Sequence, residues 1–229
     1  MIPLRRFSLS YKKLPYNVVW IEYPEVEPTL KALGIAPTTK KPDGSPMYTL
    51  PAIVDPSTGT GVAESFAIAE YLDKTYPDRP LLIPSGTRAL QAAFIEAFIG
   101  ALVSMFRFSF LHTAENILNP SSSAHFREAR KNDVLGGLTV EEAYPTGEQA
   151  NAEWKKVEQG FAKIDQWIGE GNKFVMGDTV SFADFALAGF IKYTRFSQGE
   201  DSPKWKDVAS WNGGRWTRLV RDVEALTTL

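Results

Sequence analysis

The sequence contains no cysteine and only two histidines among its 229 residues. The lack of cysteine excludes disulfides, thiolate metal sites and a cysteine nucleophile, and two histidines argue against a metal centre. An excess of one charge is also absent, since 25 basic residues stand against 27 acidic ones and the formal net charge is -2. Such a balance gives no broad attraction to nucleic acid or to anionic membranes, so we expect neither as a partner.

Long apolar runs are lacking as well. The most apolar stretch, residues 89–110, is interrupted by Gln91, Glu96 and Arg107, so it falls short of the roughly 18 apolar residues that indicate a membrane span. We expect it to be a buried helix. The N-terminus has no apolar core and cleavage site of a signal peptide, which favours a cytoplasmic protein. With 44% apolar residues, the chain can bury one large core or two small ones.

The first 79 residues combine helical and strand patterns. The expected order is a helix at 4–14, a strand at 17–23 buried on both faces, a short helix at 25–33 stopped by Gly34, a loop at 40–46, two strands around a turn at 55–59, and a helix that starts at Glu64 and Ser65. Prolines at 77, 80 and 84 restrict φ in the segment that follows. We expect this segment, 76–84, to be an interdomain linker.

The remainder of the chain is predicted to be a bundle of about five helices. The expected helices cover residues 87–117, 125–134, 147–169, a segment that begins at 181, and 214–226. Ser181 followed by Asp184 is a helix N-cap pattern, and Val180 and Phe185 stand where a hydrophobic staple would form. This spacing explains Asp184 without a catalytic role.

Two short motifs in the first part favour a ligand site. Pro51 opens an apolar strand, where a missing N–H is tolerated, and this leaves the backbone of Leu50 able to pair elsewhere. Glu64 and Ser65 stand at a helix start, whose free N–H groups attract a carboxylate, while a Glu side chain can hold an ammonium. An amino-acid head group suits this pair. Alternatively, Ser65 only caps the helix and Glu64 only complements its dipole.

Taken together, these features resemble a cytosolic glutathione transferase over the whole chain. The resemblance rests on the Leu-Pro before a strand, the Glu-Ser at a helix start, the proline-rich linker and the Ser-Phe-Ala-Asp box at 181–184. Segments 17–28, 41–46 and 174–184 resemble the fungal FuA group, which is related to omega-class transferases and bacterial β-etherases. The implied fold is α/β plus all-α: a thioredoxin-like domain at 1–79 and an all-helical domain at 87–229.

By resemblance, the first domain binds glutathione, which would serve as a substrate. Leu50 would pair its backbone with the cysteinyl part beside a cis Leu50-Pro51 bond, and Glu64 and Ser65 would hold the γ-glutamyl end. Lys40 or Lys41 would meet the glycyl carboxylate. For the two lysines, a solvated loop explains the sequence equally well.

The resemblance fails at the start of the chain. In the family, a first strand and a turn with a thiolate-stabilising Ser, Cys or Tyr precede the first helix, whereas Met1 already falls inside the position of that helix. Ser8 and Ser10 lie too far along the helix to replace that residue, so we assign no catalytic residue. We expect the start to be a truncation or a mis-called exon. An absent interior strand would leave about six to ten ladder groups unpaired, at roughly 1–3 kcal/mol each.

The resemblance implies an enzyme that adds glutathione to hydrophobic aromatic electrophiles by thiolate attack, in a homodimer. Phe94, Phe98 and His125 are candidates for the electrophile pocket, although most such aromatic stripes are ordinary core and His125 also suits a surface position. The missing thiolate stabiliser makes catalysis by this chain doubtful. A non-catalytic carrier of aromatic ligands or glutathione adducts is the alternative, and a structural interaction module is a third reading.

Overall fold

A computed structural model describes residues 4–41 and 43–228. Its α/β part precedes a helical part, and Met1, which the sequence analysis placed inside the first helix, lies outside the described residues. The elements of the α/β part are α1 (Leu4–Tyr11), α2 (Val26–Ala32), β1 (Thr39–Lys40), β2 (Pro46–Met47), β3 (Ala52–Asp55), β4 (Thr60–Ala63) and α3 (Ser65–Thr75). The helical part contains α4 (Arg88–Ala101), α5 (Val103–Asn116), α6 (Pro120–Asp133), α7 (Val140–Ala143), α8 (Gly147–Ile168), α9 (Phe182–Gln198) and α10 (Pro203–Leu226).

The strands form two small antiparallel ladders. β3 pairs with β4 so that Ala52 faces Ala63 and Asp55 faces Thr60, as the predicted strand-turn-strand requires. β1 pairs with β2, so the predicted loop at 40–46 is wrong at both of its ends and is instead a short hairpin. Its ladder is only two residues long on each side, which is why the sequence shows no strand pattern there.

The predicted strand at 17–23 is not formed. In this irregular segment, Val19 is 71% exposed and Trp20 is 68% exposed, so the expectation of burial on both faces was also wrong. The physical reason is that no strand among the described residues lies beside it. An apolar run becomes a strand only when a neighbour satisfies its backbone groups. Its last residue, Tyr23, instead begins a turn of 3-10 helix, Tyr23–Glu25, against α6.

A buried ion pair attaches α1 to α3 and to the linker. The side chain of Lys12 has no exposed surface, and its Nζ lies 2.7 Å from Asp73 Oδ1 and 3.1 Å from the carbonyl oxygen of Pro80. Asp73 also accepts the backbone N–H groups of Leu82 and Ile83, at 2.9 and 2.8 Å. These bonds fix the chain where it leaves the α/β part. Nothing in the sequence around Lys12 or Asp73 indicates that the two residues are partners.

The long helix predicted at 87–117 is broken at Leu102. α4 and α5 meet at 69°, and Leu102 takes a non-helical backbone with φ -107 and ψ 16. Gly160 of α8 crosses at this point, where a Cβ would lie 2.2 Å from the carbonyl oxygen of Ala101. Within the described part of the chain, no single helix is long and apolar enough to cross a membrane, although the bent α4–α5 pair taken together meets that test.

Later helix boundaries follow local signals more closely. Asp184 accepts the N–H of Ser181 at 2.9 Å, as the cap pattern predicts. α8 ends at Ile168, and the next residue, Gly169, has a φ of +82°. The helix predicted at 214–226 is the second half of α10, which is interrupted by non-helical residues 211–214. The bundle therefore has more helices than the five predicted. Its core is continuous with the first part through Phe7 and residues of α3.

Candidate functional site

The two motifs that the sequence singled out lie side by side. Pairing of Ala52 with Ala63 brings the residues before β3 next to those after β4, and the Glu64 N–H donates to the Pro51 carbonyl oxygen at 3.0 Å. The Leu50-Pro51 peptide bond is cis, as predicted. The hairpin thus holds Leu50 and Pro51 against the start of α3.

The backbone of Leu50 has no hydrogen-bond partner in the described part of the chain. The residue as a whole is half-buried. A backbone edge of this kind can add one extended segment of a peptide ligand. The hydroxyl of the preceding residue, Thr49, forms a hydrogen bond with the hydroxyl of Thr38 at 2.9 Å, and this bond helps to hold the segment in place.

Glu64 caps α3 with its own side chain. Its carboxylate accepts the N–H of Phe66 at 3.0 Å and that of Ala67 at 3.0 Å. The sequence did not predict this contact. One interpretation made Ser65 the cap, and the other placed a ligand carboxylate at the helix start. The backbone of Glu64 has a φ of +79°, a strained value for a residue with a side chain. Such strain tends to mark functional positions.

Ser65 is the first residue of α3 rather than its cap. Its hydroxyl donates to Glu64 Oε1 at 3.1 Å, and its backbone N–H has no partner among residues 4–41 and 43–228. The helix start therefore presents one free amide and a hydroxyl beside a carboxylate. An amide and a hydroxyl suit a ligand carboxylate, and the Glu64 carboxylate suits a cation.

A cavity of about 390 Å³ opens next to this helix start. Residues 35–38 and 61–64 line it together with Ala67, and its walls are mostly apolar. Its volume falls within the roughly 300–1,000 Å³ of small-molecule sites. At the edge of the cavity, the backbone of residue 61 can lie against Ile35 because residue 61 is a glycine. A Cβ there would lie 2.5 Å from Ile35 Cγ1.

The two predicted lysines differ in their surroundings. Both are exposed, and they lie at the β1–β2 hairpin. Lys41 Nζ is 3.4 Å from Glu27, which also bonds Lys31 at 2.8 Å. Lys40 has no carboxylate within ion-pair distance in the described structure. Lys40 is therefore the cation with more freedom to meet an anion.

Two of the three candidates for the electrophile pocket are neighbours, since the ring centroids of Phe94 and Phe98 lie 5.9 Å apart, whereas His125 packs elsewhere. Phe98 is 2% exposed and packs in the core against Phe190, with ring centroids 6.0 Å apart. Phe94 is half-buried and contacts Trp167 edge to face. His125 is exposed, and its ring stacks on Tyr23 at 6.2 Å. As described, Phe98 has almost no surface open to a ligand.

Sequence reasoning missed the contact between the 17–23 segment and α6. Glu22 accepts hydrogen bonds from Asn119 and Ser122, and the N–H of Tyr23 donates to Ser122 Oγ at 2.8 Å. The partners lie about a hundred positions apart in the chain. Nothing in the local pattern of either segment indicates such a contact, since Asn119 and Ser122 only stand where α6 begins.

The two serines considered as thiolate stabilisers are buried. Ser8 is 1% exposed and Ser10 is 6% exposed, and the Ser10 hydroxyl lies 3.2 Å from the hydroxyl of Tyr16. The Ser8 hydroxyl has no partner in the described chain, but it faces the core. This placement agrees with leaving both out of a catalytic role.

Two family models match the chain along most of its length. The model of the glutathione S-transferase N-terminal domain matches residues 6–75, and that of the glutathione S-transferase C-terminal domain matches residues 89–226. Among curated proteins, the glutathione S-transferase-like protein ustS of Aspergillus flavus is 30% identical, with 93% of this chain and 79% of the relative covered.

Two solved structures are more similar still. A glutathione S-transferase of Ceriporiopsis subvermispora, crystallised in complex with glutathione, is 38% identical with a TM-score of 0.91, covering 99% of this chain and 90% of that one. Glutathione transferase GSTFuA3 from Phanerochaete chrysosporium is 37% identical with a TM-score of 0.90, covering 99% and 89%.

Proposed function

The chain belongs to the glutathione S-transferase family, with a thioredoxin-like N-terminal domain and a helical C-terminal domain, and we propose that it binds glutathione at the start of α3. We take the two domains as residues 1–79 and 87–229. The observation that carries the proposal is the junction at which Glu64 and Ser65 lie against the Leu50-Pro51 segment. The complex of the Ceriporiopsis relative with glutathione supports it.

The γ-glutamyl end of glutathione carries both an ammonium and a carboxylate. In our proposal, that carboxylate binds the free N–H and the hydroxyl of Ser65, where the helix dipole adds to the attraction. The ammonium then binds the Glu64 carboxylate, which keeps its bonds to the α3 amides through its other lone pairs. One residue thus caps the helix and recognises the ligand.

The rest of the tripeptide extends along the cis-proline segment. The cysteinyl N–H and C=O bind the unpaired backbone groups of Leu50, and the glycyl carboxylate meets Lys40. Lys41 is the weaker candidate, because Glu27 already attracts its charge. This orientation leaves the thiol next to the helical domain, where a hydrophobic electrophile would bind.

The reaction that we propose is attack of the glutathione thiolate on a hydrophobic aromatic electrophile. The sulfur forms a bond to the electrophilic carbon, and a leaving group such as halide departs with the bonding electrons. Only the thiolate is nucleophilic, and a free thiol with a pKa of about 8.5 is mostly protonated at neutral pH. We therefore expect slow turnover. A carrier of aromatic ligands or glutathione adducts is the second candidate, because Ser8 and Ser10 are buried and are not placed to stabilise the thiolate. For either candidate we propose a cytoplasmic location.

The test is calorimetric binding of glutathione to the Glu64→Ala/Ser65→Ala double variant. We expect affinity to fall at least tenfold, since charge-assisted hydrogen bonds are lost. The matched control, Glu170→Ala/Ser85→Ala, removes the same residue types from exposed sites and should bind as the unmodified protein does. Equal affinity in all three would refute the site. Turnover of a dinitrochlorobenzene then separates enzyme from carrier, and size-exclusion chromatography tests the expected homodimer.

A further inference from the structure

One side of β3 has unpaired backbone groups that the proposed binding of glutathione does not use. β3 pairs with β4 on one side, and no strand within residues 4–41 and 43–228 lies on the other. The Glu64 N–H bonds the Pro51 carbonyl, and hydrogen-bonded pairs alternate along an antiparallel ladder, so Ile53 turns its backbone groups towards β4. Those of Ala52 and Val54 therefore point to the other side, which we call the free edge of β3.

Segment 17–23 is a second stretch of unpaired backbone. Its residues 17–21 form no backbone–backbone hydrogen bond within the described structure, although their mostly apolar and β-branched sequence is typical of a strand. Ile21 of this segment and Ala52 of β3 pack against one apolar cluster, which consists of Val26, Leu30 and Ile35. The segment and the free edge therefore share one support.

Both faces of β3 are covered by apolar groups. Successive side chains of a strand point to opposite faces. Ala52 packs against the cluster just described, whereas Ile53 packs against the main core, to which α1 and α3 contribute. A strand beside the free edge would lie between the same two layers, so it would need apolar residues on both of its faces. It would also remove Val19 and Trp20 from water, and both are now largely exposed.

We propose that the free edge of β3 and segment 17–23 together bind an extended strand of about six residues from a separate polypeptide, with apolar side chains on both faces. Its backbone pairs with Ala52 and Val54 on one side and with residues 17–21 on the other, by addition of a strand to a sheet edge. About six residues is an ordinary strand length. A strand with one polar face is excluded, because that face would be buried without hydrogen-bond partners.

The test uses the full chain and a capped peptide of eight residues, with lysine at both ends and valine or isoleucine at the six positions between. We expect saturable binding that slows amide hydrogen exchange at Ala52 and Val54 at least tenfold. The Ile53 amide is the internal control and should change less, because it already pairs with β4. The fluorescence of Trp20 should shift to shorter wavelengths when the strand covers its ring, and Trp20→Phe should remove that shift.

Matched variants of the protein and of the peptide test the pairing. Val54→Pro removes an N–H of the free edge and leaves the β3–β4 ladder intact, since proline is tolerated at a sheet edge, and it should weaken binding at least tenfold. Val54→Thr keeps that N–H and the β-branched shape, so it should bind as the unmodified protein does. A peptide that is N-methylated at alternate residues should bind at least tenfold more weakly, as should one with serine at every second position.

Three results would overturn the proposal directly. They are failure of the peptide to bind, unchanged affinity for both Val54→Pro and the N-methylated peptide, and constant Trp20 emission on binding. Protection of the Ala52 and Val54 amides that rises with protein concentration in the absence of peptide would also overturn it, because the added strand would then come from a second copy of this chain. Glu64→Ala/Ser65→Ala should bind the peptide as the unmodified protein does, which separates this test from that of the glutathione site, and loss of the peptide there would contradict the proposal.

Discussion

Lys12 and Asp73 form an ion pair across 61 residues of sequence, with the lysine side chain fully buried and the aspartate side chain 13% exposed. The pair joins α1 to α3, and Asp73 also holds the backbone at Leu82 and Ile83, near the end of the linker. One carboxylate therefore connects three segments that the glutathione site depends on for its position.

Asp73→Ala should be strongly destabilising. It leaves the Lys12 ammonium buried with only the Pro80 carbonyl oxygen, and breaking a buried pair costs about 3–5 kcal/mol. Lys12→Met should cost less, because Asp73 keeps its amide donors and some contact with water. Urea denaturation measures both. The control is Lys31→Met, whose exposed pair with Glu27 is worth about 0–1 kcal/mol. If Asp73→Ala lowered the free energy of unfolding by no more than Lys31→Met does, this account would be wrong.

Two glycines in the helical domain should respond oppositely to alanine. At Gly160 the new Cβ would meet the Ala101 carbonyl at 2.2 Å, so α8 must move away from the break after α4, at a cost of about 1–3 kcal/mol. At Gly100, within α4, no atom lies within 4 Å of the added Cβ, and alanine should stabilise the helix by roughly 0.5–1 kcal/mol. Thermal unfolding of the two variants gives the comparison, and equal shifts would rule out the tight crossing.

Much of the fold could be predicted where the signal is local. The Ser181 and Asp184 cap, the helix end at Gly169 and the β3–β4 turn depend on residues a few positions apart. The same holds for the core of the candidate site. Because a hairpin fixes which residues face each other, the predicted strand-turn-strand brings the residues before β3 close to those after β4, and the resemblance assigns Leu50, Glu64 and Ser65 to one ligand.

What could not be predicted depends on distant partners. The 17–23 segment has strand-forming residues, but without a neighbouring strand in the described chain its Val19 and Trp20 stay exposed. The break after α4 follows from the crossing of Gly160, which no pattern around residue 102 reveals. A phenylalanine such as Phe98 looks the same in the sequence whether its ring faces the core or a ligand. Only the packing of Phe98 against Phe190 shows that it faces the core.

Because Glu64 has a positive φ, substitutions at this position can distinguish its contribution to stability as the helix cap from its proposed contribution to ligand binding. Glu64→Gly and Glu64→Ala both remove the side chain that bonds Phe66 and Ala67, which should cost about 0.5–2 kcal/mol. Only glycine relieves the φ of +79°, so it should be more stable than the alanine variant by about 1 kcal/mol. Glutathione affinity should fall equally in both. A glycine variant that recovers affinity along with stability would mean that the carboxylate has no role in binding.

Asp55 should make the stability of the β3–β4 hairpin depend on acid pH. Its Oδ2 accepts the hydroxyls of Tyr71 and Tyr76 at 2.7 and 2.6 Å, and its Oδ1 accepts the N–H of Ser57 at 2.9 Å. Burial raises the pKa of Asp55, but the hydrogen bonds from Tyr76, Ser57 and Tyr71 outweigh it, so the pKa lies below its ordinary value.

A folded-state pKa below that of the unfolded chain gives stability that is present above the unfolded value of about 3.9 and lost as the pH falls below it. The free energy of unfolding should therefore decline from about pH 4 downward, and Tyr76→Phe should flatten that decline because one donor is removed. Asp78→Asn, at a side chain that is 76% exposed, should leave the decline nearly unchanged. Urea denaturation at a series of pH values measures the slopes. Since β3 and β4 hold Pro51 against Glu64, glutathione affinity should weaken over the same range, and an affinity that stays constant while the hairpin loses stability would separate the site from this support.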